Sequence, residues 1–182
     1  MISLKNISIK QIFTCIIVLL LIIFADAQPL LFLIGVVIVL PGEAIRIWAA
    51  GHLRKDKSLT TSGPYAYLKN PLYLGTLLVL TGACFCANNF IILAFGLVVF
   101  FFHYLPYKLR KEGDRLEKIF GEEYTVYAKQ VPNLIPRLTP YHKEGSEIKK
   151  WSFKQVKNNS EHLTFLAILV GIILISRNLW IR

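Results

Sequence analysis

Charge is scarce in this sequence. Asp, Glu, Lys and Arg together make up 18% of it, against about 25% in an ordinary soluble domain. Acid is the scarcer half, with 11 Asp or Glu against 21 Lys or Arg. Cysteine is nearly absent too. Cys15, Cys84 and Cys86 all fall in apolar runs, without CxxC spacing and without clustered histidine. That excludes a disulfide framework and a zinc site and leaves three small buried thiols. No metal-ligand set has the required spacing anywhere in the chain. No internal repeat is evident, which argues against a transporter built from two related halves.

What is present is apolar residue, 54% of the chain, gathered into blocks. Five blocks stand out: Ile12–Ala25, Leu30–Ala50, Leu72–Ala87, Phe90–Tyr107 and Leu163–Leu179. A bilayer crossing takes about 20 residues, and lipid requires backbone groups to be satisfied within the segment. The expectation is an all-α, polytopic integral membrane protein with about five transmembrane helices. It is read as a single domain over 1–182, with its motif-bearing centre at 30–136, a polar linker at 137–160 and a C-terminal transmembrane helix at 163–179. The first block follows Lys5 and Lys10 as a secretory signal would. It lacks a small-x-small cleavage site and is followed almost at once by another apolar block, so a retained helical hairpin is expected.

The formal charge of +10 would suggest nucleic acid in a soluble protein. Here the cations flank apolar blocks, so topology and lipid headgroups are the expectation, with no nucleic acid. Residues 108–162 hold 12 Lys or Arg, and residues 51–70 are also basic. The breaks at 26–29 and 88–89 carry no cation. Positive-inside logic places the N-terminus and both basic segments in the cytoplasm. The protein would sit in the inner (cytoplasmic) membrane with its site facing the cytoplasm. Five crossings would leave the C-terminus outside, with Arg177 and Arg182 against that placement.

The stretch TSGPYAYLKNPLYLG, residues 61–75, interrupts the apolar pattern. Gly63-Pro64 marks a turn. Asn70-Pro71 reads as an N-cap followed by proline at the first helical position. The free amides of that helix start suit a carboxylate or phosphate, and Gly75 permits close approach. Tyr65, Tyr67 and Tyr73 read either as an interfacial belt or as the wall of a pocket. Glu43 and Arg46 are three apart and can pair at membrane depth, where ionisable groups suggest function. Trp48 reads as an interface anchor, with His52 just beyond it. His103 and Tyr107 lie four apart and can line one cavity. Glu112 can hold a ribose hydroxyl or an amine, or pair with Arg115. Gly121 is expected to end one helix before Glu122 opens another.

Taken together, RIWAAGHL at 46–53, LTTSGPYAYLKNPLYLG at 59–75 and EGDRLEKIFGEEYTVYAKQVPNLIP at 112–136 resemble the isoprenylcysteine carboxyl methyltransferase family and the related phospholipid methyltransferases. The resemblance covers about half the chain. It implies a helical membrane enzyme that uses S-adenosyl-L-methionine from a cytoplasmic-side cofactor pocket. Tyr65, Asn70, Pro71, Tyr73, Gly75, Tyr107 and Glu112 are the cofactor candidates. Arg46, Trp48, His52 and His103 are the substrate candidates, and Arg46 and Glu112 the catalytic ones. The family often has two adjacent glutamates where this chain has Glu112-Gly113, and commonly carries His-Pro or Asn-Pro at the position of Asn70-Pro71. The expected partners are membrane lipids and a small hydrophobic or lipidic methyl acceptor. An NADPH-dependent reductase of the steroid-reductase type, and a scaffold without cofactor, are the alternatives.

Overall fold

The computed structural model describes Ile16 and residues 18–54, 58–142 and 150–180. Cys15 and residues 12–14 and 17 of the first apolar block lie outside the described residues. Every regular element among the described residues is helical. Residues 18–23 form a helical turn and lead into α1, Pro29–His52. Then come a 3-10 turn at Gly63–Ala66, α2 at Pro71–Cys86 and α3 at Phe90–Val99. α3 runs on through a π-helical turn at Phe100–Tyr104 into α4, Leu105–Phe120. The chain ends with α5 at Glu122–Gln130, α6 at Phe153–Asn158 and α7 at Glu161–Ser176, with a final 3-10 turn at Arg177–Leu179.

Among the described residues, three helices are long and apolar enough to cross a membrane: Pro29–His52, Phe90–Phe120 and Glu161–Leu179. Pro71–Cys86 is apolar but shorter, at 16 residues, or about 24 Å of rise against a hydrocarbon core of about 30 Å. Their outward surfaces are greasy. Leu30, Ile91 and Phe102 are 70%, 85% and 82% exposed. Water would penalise such surfaces, whereas lipid does not. This is an integral membrane protein.

α1 and α2 pack through glycine. A side-chain carbon added at Gly35 would lie 2.5 Å from the Gly82 carbonyl oxygen, and one at Gly75 would lie 2.7 Å from that of Gly42. Gly35 and Gly42 are spaced by seven, as are Gly75 and Gly82, so two antiparallel backbones meet twice along one seam. Beyond the seam a cluster of Leu21, Cys84, Cys86 and Ile175 closes one end of the bundle.

The helix from Phe90 to Phe120 has 31 residues and rises about 46 Å, so part of it must leave the hydrocarbon. Asn89 caps its start, its side chain accepting from the Ile92 N–H at 3.0 Å. The π turn ends where the Leu105 N–H bonds the Phe100 carbonyl, five residues back. Pro106 follows directly, and its missing N–H weakens the ordinary ladder there. Gly121 ends the helix at φ 55°, a conformation that suits glycine. Glu122 and Glu123 then occupy the first turn of α5, where the helix dipole favours them.

The described part of the polar stretch 137–160 docks on the rest of the chain. Tyr141 is buried against Tyr127. Asn159 Nδ2 donates to the Ala50 and Leu53 carbonyls at 2.9 and 3.1 Å, closing the end of α1. Trp151 Nε1 donates to the Ile47 carbonyl at 3.3 Å.

Candidate functional site

The loop between α1 and α2 is fastened onto the chain after α5. Lys69 N–H bonds the Pro132 carbonyl at 2.8 Å, Arg137 N–H the Tyr67 carbonyl at 3.0 Å, and Tyr141 N–H the Ala66 carbonyl at 2.8 Å. Tyr127 adds its hydroxyl to the Tyr65 carbonyl at 2.7 Å. The loop therefore cannot be placed without α5. Gly63 turns it at φ 62°, directly against the His52 ring. His52 is buried there, with Nδ1 3.5 Å from Ser62 Oγ. Its ring supports the turn.

Asn70 stands at the cap position of α2, and Pro71 is fully buried at the first helical position. The expected side-chain cap is not made. Asn70 Nδ2 donates instead to the Asn133 carbonyl at 3.2 Å, and the Tyr73 N–H reaches the Asn70 backbone carbonyl at 3.1 Å. Pairing with the chain after α5 has claimed the amide.

The Tyr73 hydroxyl donates to Glu112 Oε2 at 2.6 Å. This bond joins α2 to α4, and its length is that of a charge-assisted O–H···O contact. The Tyr73 ring meets Tyr104 edge-on, with centroids 5.9 Å apart. Glu112 also lines a hollow of about 130 Å³ with Arg54, Tyr65, Lys69, Asn70 and Tyr124 among its walls. Burial pushes the Tyr65 phenol up and the Lys69 ammonium down. Lys69 Nζ donates to the Ala128 carbonyl at 3.0 Å. Burial, then Glu112, raises the Tyr124 phenol.

Arg46 lies beside this region, against Gly75. Its guanidinium bonds Thr76 Oγ1 at 2.5 Å and Glu43 Oε1 at 3.2 Å, and also pairs with Glu161 of α7. Glu43 and Glu161 are 5% and 6% exposed, so one guanidinium faces two buried carboxylates. Glu161 was invisible to motif reading. The only clue was an acid opening the last apolar run. Trp48 is half-exposed beside Tyr67, with ring centroids 6.5 Å apart.

His103 and Tyr107 take a different direction. They line an open furrow along the outside of the Phe90–Phe120 helix. At 3.6 residues per turn, Tyr107 and Glu112 point about 140° apart. The structure thus gathers Tyr65, Asn70 and Glu112 around the hollow. Tyr73 is bonded to its edge, Arg46 and Gly75 sit alongside, and Tyr107 and His103 face away. Sequence reading passed over Tyr127 and Asn133, whose only signal was the order of the motifs.

This arrangement, a loop motif hydrogen-bonded to the Glu112-bearing helix over a hollow, falls within the family match. Residues 29–123 match the phospholipid methyltransferase family. The chain belongs to that family. Its family chemistry is methyl transfer from S-adenosyl-L-methionine in a membrane setting. Among similar proteins, the cobalt-zinc-cadmium resistance protein CzcN of Cupriavidus metallidurans is 31% identical over 79% of this chain and 66% of its own length. The protein-S-isoprenylcysteine O-methyltransferase of Schizosaccharomyces pombe is 33% identical over 52% of this chain and 40% of its own length. The protein-S-isoprenylcysteine O-methyltransferase B of Arabidopsis thaliana is 32% identical over 56% of this chain and 57% of its own length. This chain therefore spans less than two thirds of each. No solved structure matches it.

Proposed function

We propose that this protein transfers a methyl group from S-adenosyl-L-methionine to a lipidic or small hydrophobic acceptor at the cytoplasmic face of the membrane. The observation that carries the reading is the 2.6 Å bond from the Tyr73 hydroxyl to Glu112, which ties the loop motif to the Glu112-bearing helix at the rim of the hollow.

The chemistry of the walls fits the cofactor. Glu112 offers a carboxylate to a ribose diol or an ammonium group. Arg54, Lys69 and the start of α2 at Asn70-Pro71 offer positive charge to a carboxylate. Tyr65 and Tyr124 offer aromatic surface. The room is smaller than the group requires: about 130 Å³ against roughly 300 Å³ or more for a ligand of this size. Binding in this reading moves the wall at Leu53, Arg54, Ser58, Leu59 and Thr60 outward. When bound, the cofactor supplies an electrophilic methyl on a sulfonium, so the protein's tasks are alignment and exclusion of water. Tyr73 holds the Glu112 carboxylate in one orientation. Gly75 keeps α2 close enough for Arg46 to reach the region.

Arg46 is the acceptor-side residue in this reading, with Trp48 and His103 toward the bilayer. Its charge is already met by Glu43 and Glu161. An acceptor that brings a neutral or cationic group suits this cluster better than one that brings a carboxylate, which would have to displace a glutamate. An acceptor that must lose a proton could use Glu112 as the base, since His103 faces the outer furrow. We also infer five crossings, with Ile12–Ala25 as the first and the hollow on the cytoplasmic side. The basic loops at 51–70 and 108–162 support that orientation.

The decisive experiment incubates the purified protein and native lipid extract with methyl-labelled S-adenosyl-L-methionine and identifies the labelled product. Calorimetry with the same cofactor and with NADPH accompanies it. Labelled lipid, with transfer lost in Glu112→Gln, is the expected result. Binding of NADPH in place of S-adenosyl-L-methionine would overturn the reading and turn Arg54 and Lys69 into a phosphate site.

A further inference from the structure

The outer side of the Phe90–Phe120 helix lies away from the hollow except at Arg115, which borders both. Phe102, Tyr107, Arg110, Lys111, Arg115 and Lys118 follow one another along it, with Asp114 as the only acid, and border an open furrow of about 930 Å³. The furrow changes character along its length. Phe102 is 82% exposed and lies within the apolar part of the span. The four cations begin at Arg110, where the helix leaves the apolar pattern. Lys111 Nζ stays near this line, 3.5 Å from the Tyr107 hydroxyl and 5.8 Å from its ring centroid.

We propose that this face holds an anionic phospholipid, its acyl chains along Phe102 and Tyr107 and its phosphate among Arg110, Lys111 and Lys118. The occupant must be apolar at one end and anionic at the other, across the level where hydrocarbon gives way to water. A free phosphate meets only half of that demand. A second copy related by an axis along the membrane normal would set the same cations face to face. The first 15 residues of the chain hold Lys5 and Lys10 and no acid, so charge disfavours them as the cover. The proposal goes beyond methyl transfer and stands whether or not that reading holds.

The test is native mass spectrometry of the full-length protein in detergent. It is titrated separately with phosphatidylglycerol, phosphatidylcholine and inorganic phosphate. The expected result is one phosphatidylglycerol bound roughly tenfold more tightly than phosphatidylcholine, because only the former brings net negative charge to the basic row. Arg110→Glu with Lys118→Glu removes that preference, and the neutral pair Arg110→Gln with Lys118→Gln weakens it. Lys154→Glu with Lys157→Glu makes the same change in net charge on α6 and leaves it intact. Equal affinity for the two lipids, equal loss in the α6 variant, competition by inorganic phosphate at matching concentration, or a dimer that the Arg110 and Lys118 variants abolish would each overturn the proposal.

Discussion

Along the inner side of the Phe90–Phe120 helix, Leu109, Glu112 and Leu116 look into a hollow shared with α5 and the loop before α2. Along its outer side, Phe102, Tyr107, Arg110 and Lys118 look away from the bundle. The two sides have similar raw material: aromatic rings, a few charges, small turns of polarity. They differ in what completes them. The inner charges have protein partners from distant segments, such as Tyr73 on Glu112. On the outer row Lys111 lies over Tyr107 of its own helix, and the cations there border an open furrow. A charge answered from another element across a closed hollow is part of an assembled site.

The most severe way to probe the inner side is Arg46→Ala. It strands Glu43 and Glu161 in burial, and breaking such a pair from one partner costs about 3–5 kcal/mol. A large fall in the thermal unfolding midpoint in detergent is expected, larger than for any change at Arg110. Glu112→Gln comes next. Losing a hydrogen bond to a charged group costs about 1.5–3 kcal/mol, so methyl transfer to the labelled product should fall by about 10- to 150-fold while the protein stays folded. Tyr73→Phe removes the same bond from the other side but leaves the carboxylate in reach of water. A loss of about fivefold to tenfold is expected, and in the double variant the two losses should fall short of adding, as they do for partners in one interaction.

A milder probe uses pH. Burial raises the Tyr65 and Tyr127 phenols above their ordinary value of 10.0. A raised folded-state value means the contribution to stability is complete below pH 10 and declines as pH rises beyond it, because unfolded phenols ionise first. The unfolding midpoint should drop above pH 10, while a phenolate absorbance titration shows these tyrosines ionising last. The smallest effect belongs to the outer side. Arg110→Gln with Lys118→Gln should leave methyl transfer in a fixed, uncharged detergent within about twofold, as surface changes do. A loss as large as that of Glu112→Gln would erase the distinction between the two sides.

Much of this was readable beforehand. The apolar blocks mark α1, α2 and α7 to within a few residues, and the start of the Phe90–Phe120 helix though not its polar end beyond Tyr107, since lipid permits little besides helix in such runs. Glu43 and Arg46 pair as their spacing predicts. Gly121 separates α4 from α5 because a glycine between an apolar-periodic stretch and a Glu-Glu pair suits both a helix end and a helix start. The Asn70 cap failed because local geometry was outbid by the Asn133 carbonyl, sixty-three positions away in the chain. His103 and Tyr107, four apart, line one furrow as their spacing suggests, but the turn of the helix sets that furrow on a different side from Glu112.

By itself the sequence determined the solvent and the repertoire: a lipid-facing helical chain, basic toward one side, with tyrosine, asparagine and glutamate motifs resembling those of a methyltransferase family. Local rules suffice for that, because burial in lipid and helix periodicity act over a few turns. Only the tertiary structure decided which motif residues meet: that Tyr73 finds Glu112, that Glu161 crosses to Arg46, and that Tyr127 and Asn133 pin the loop. Those partners lie thirty to well over a hundred residues apart. Their meeting depends on how closely the glycine seam lets α1 and α2 approach and on where the chain after α5 returns.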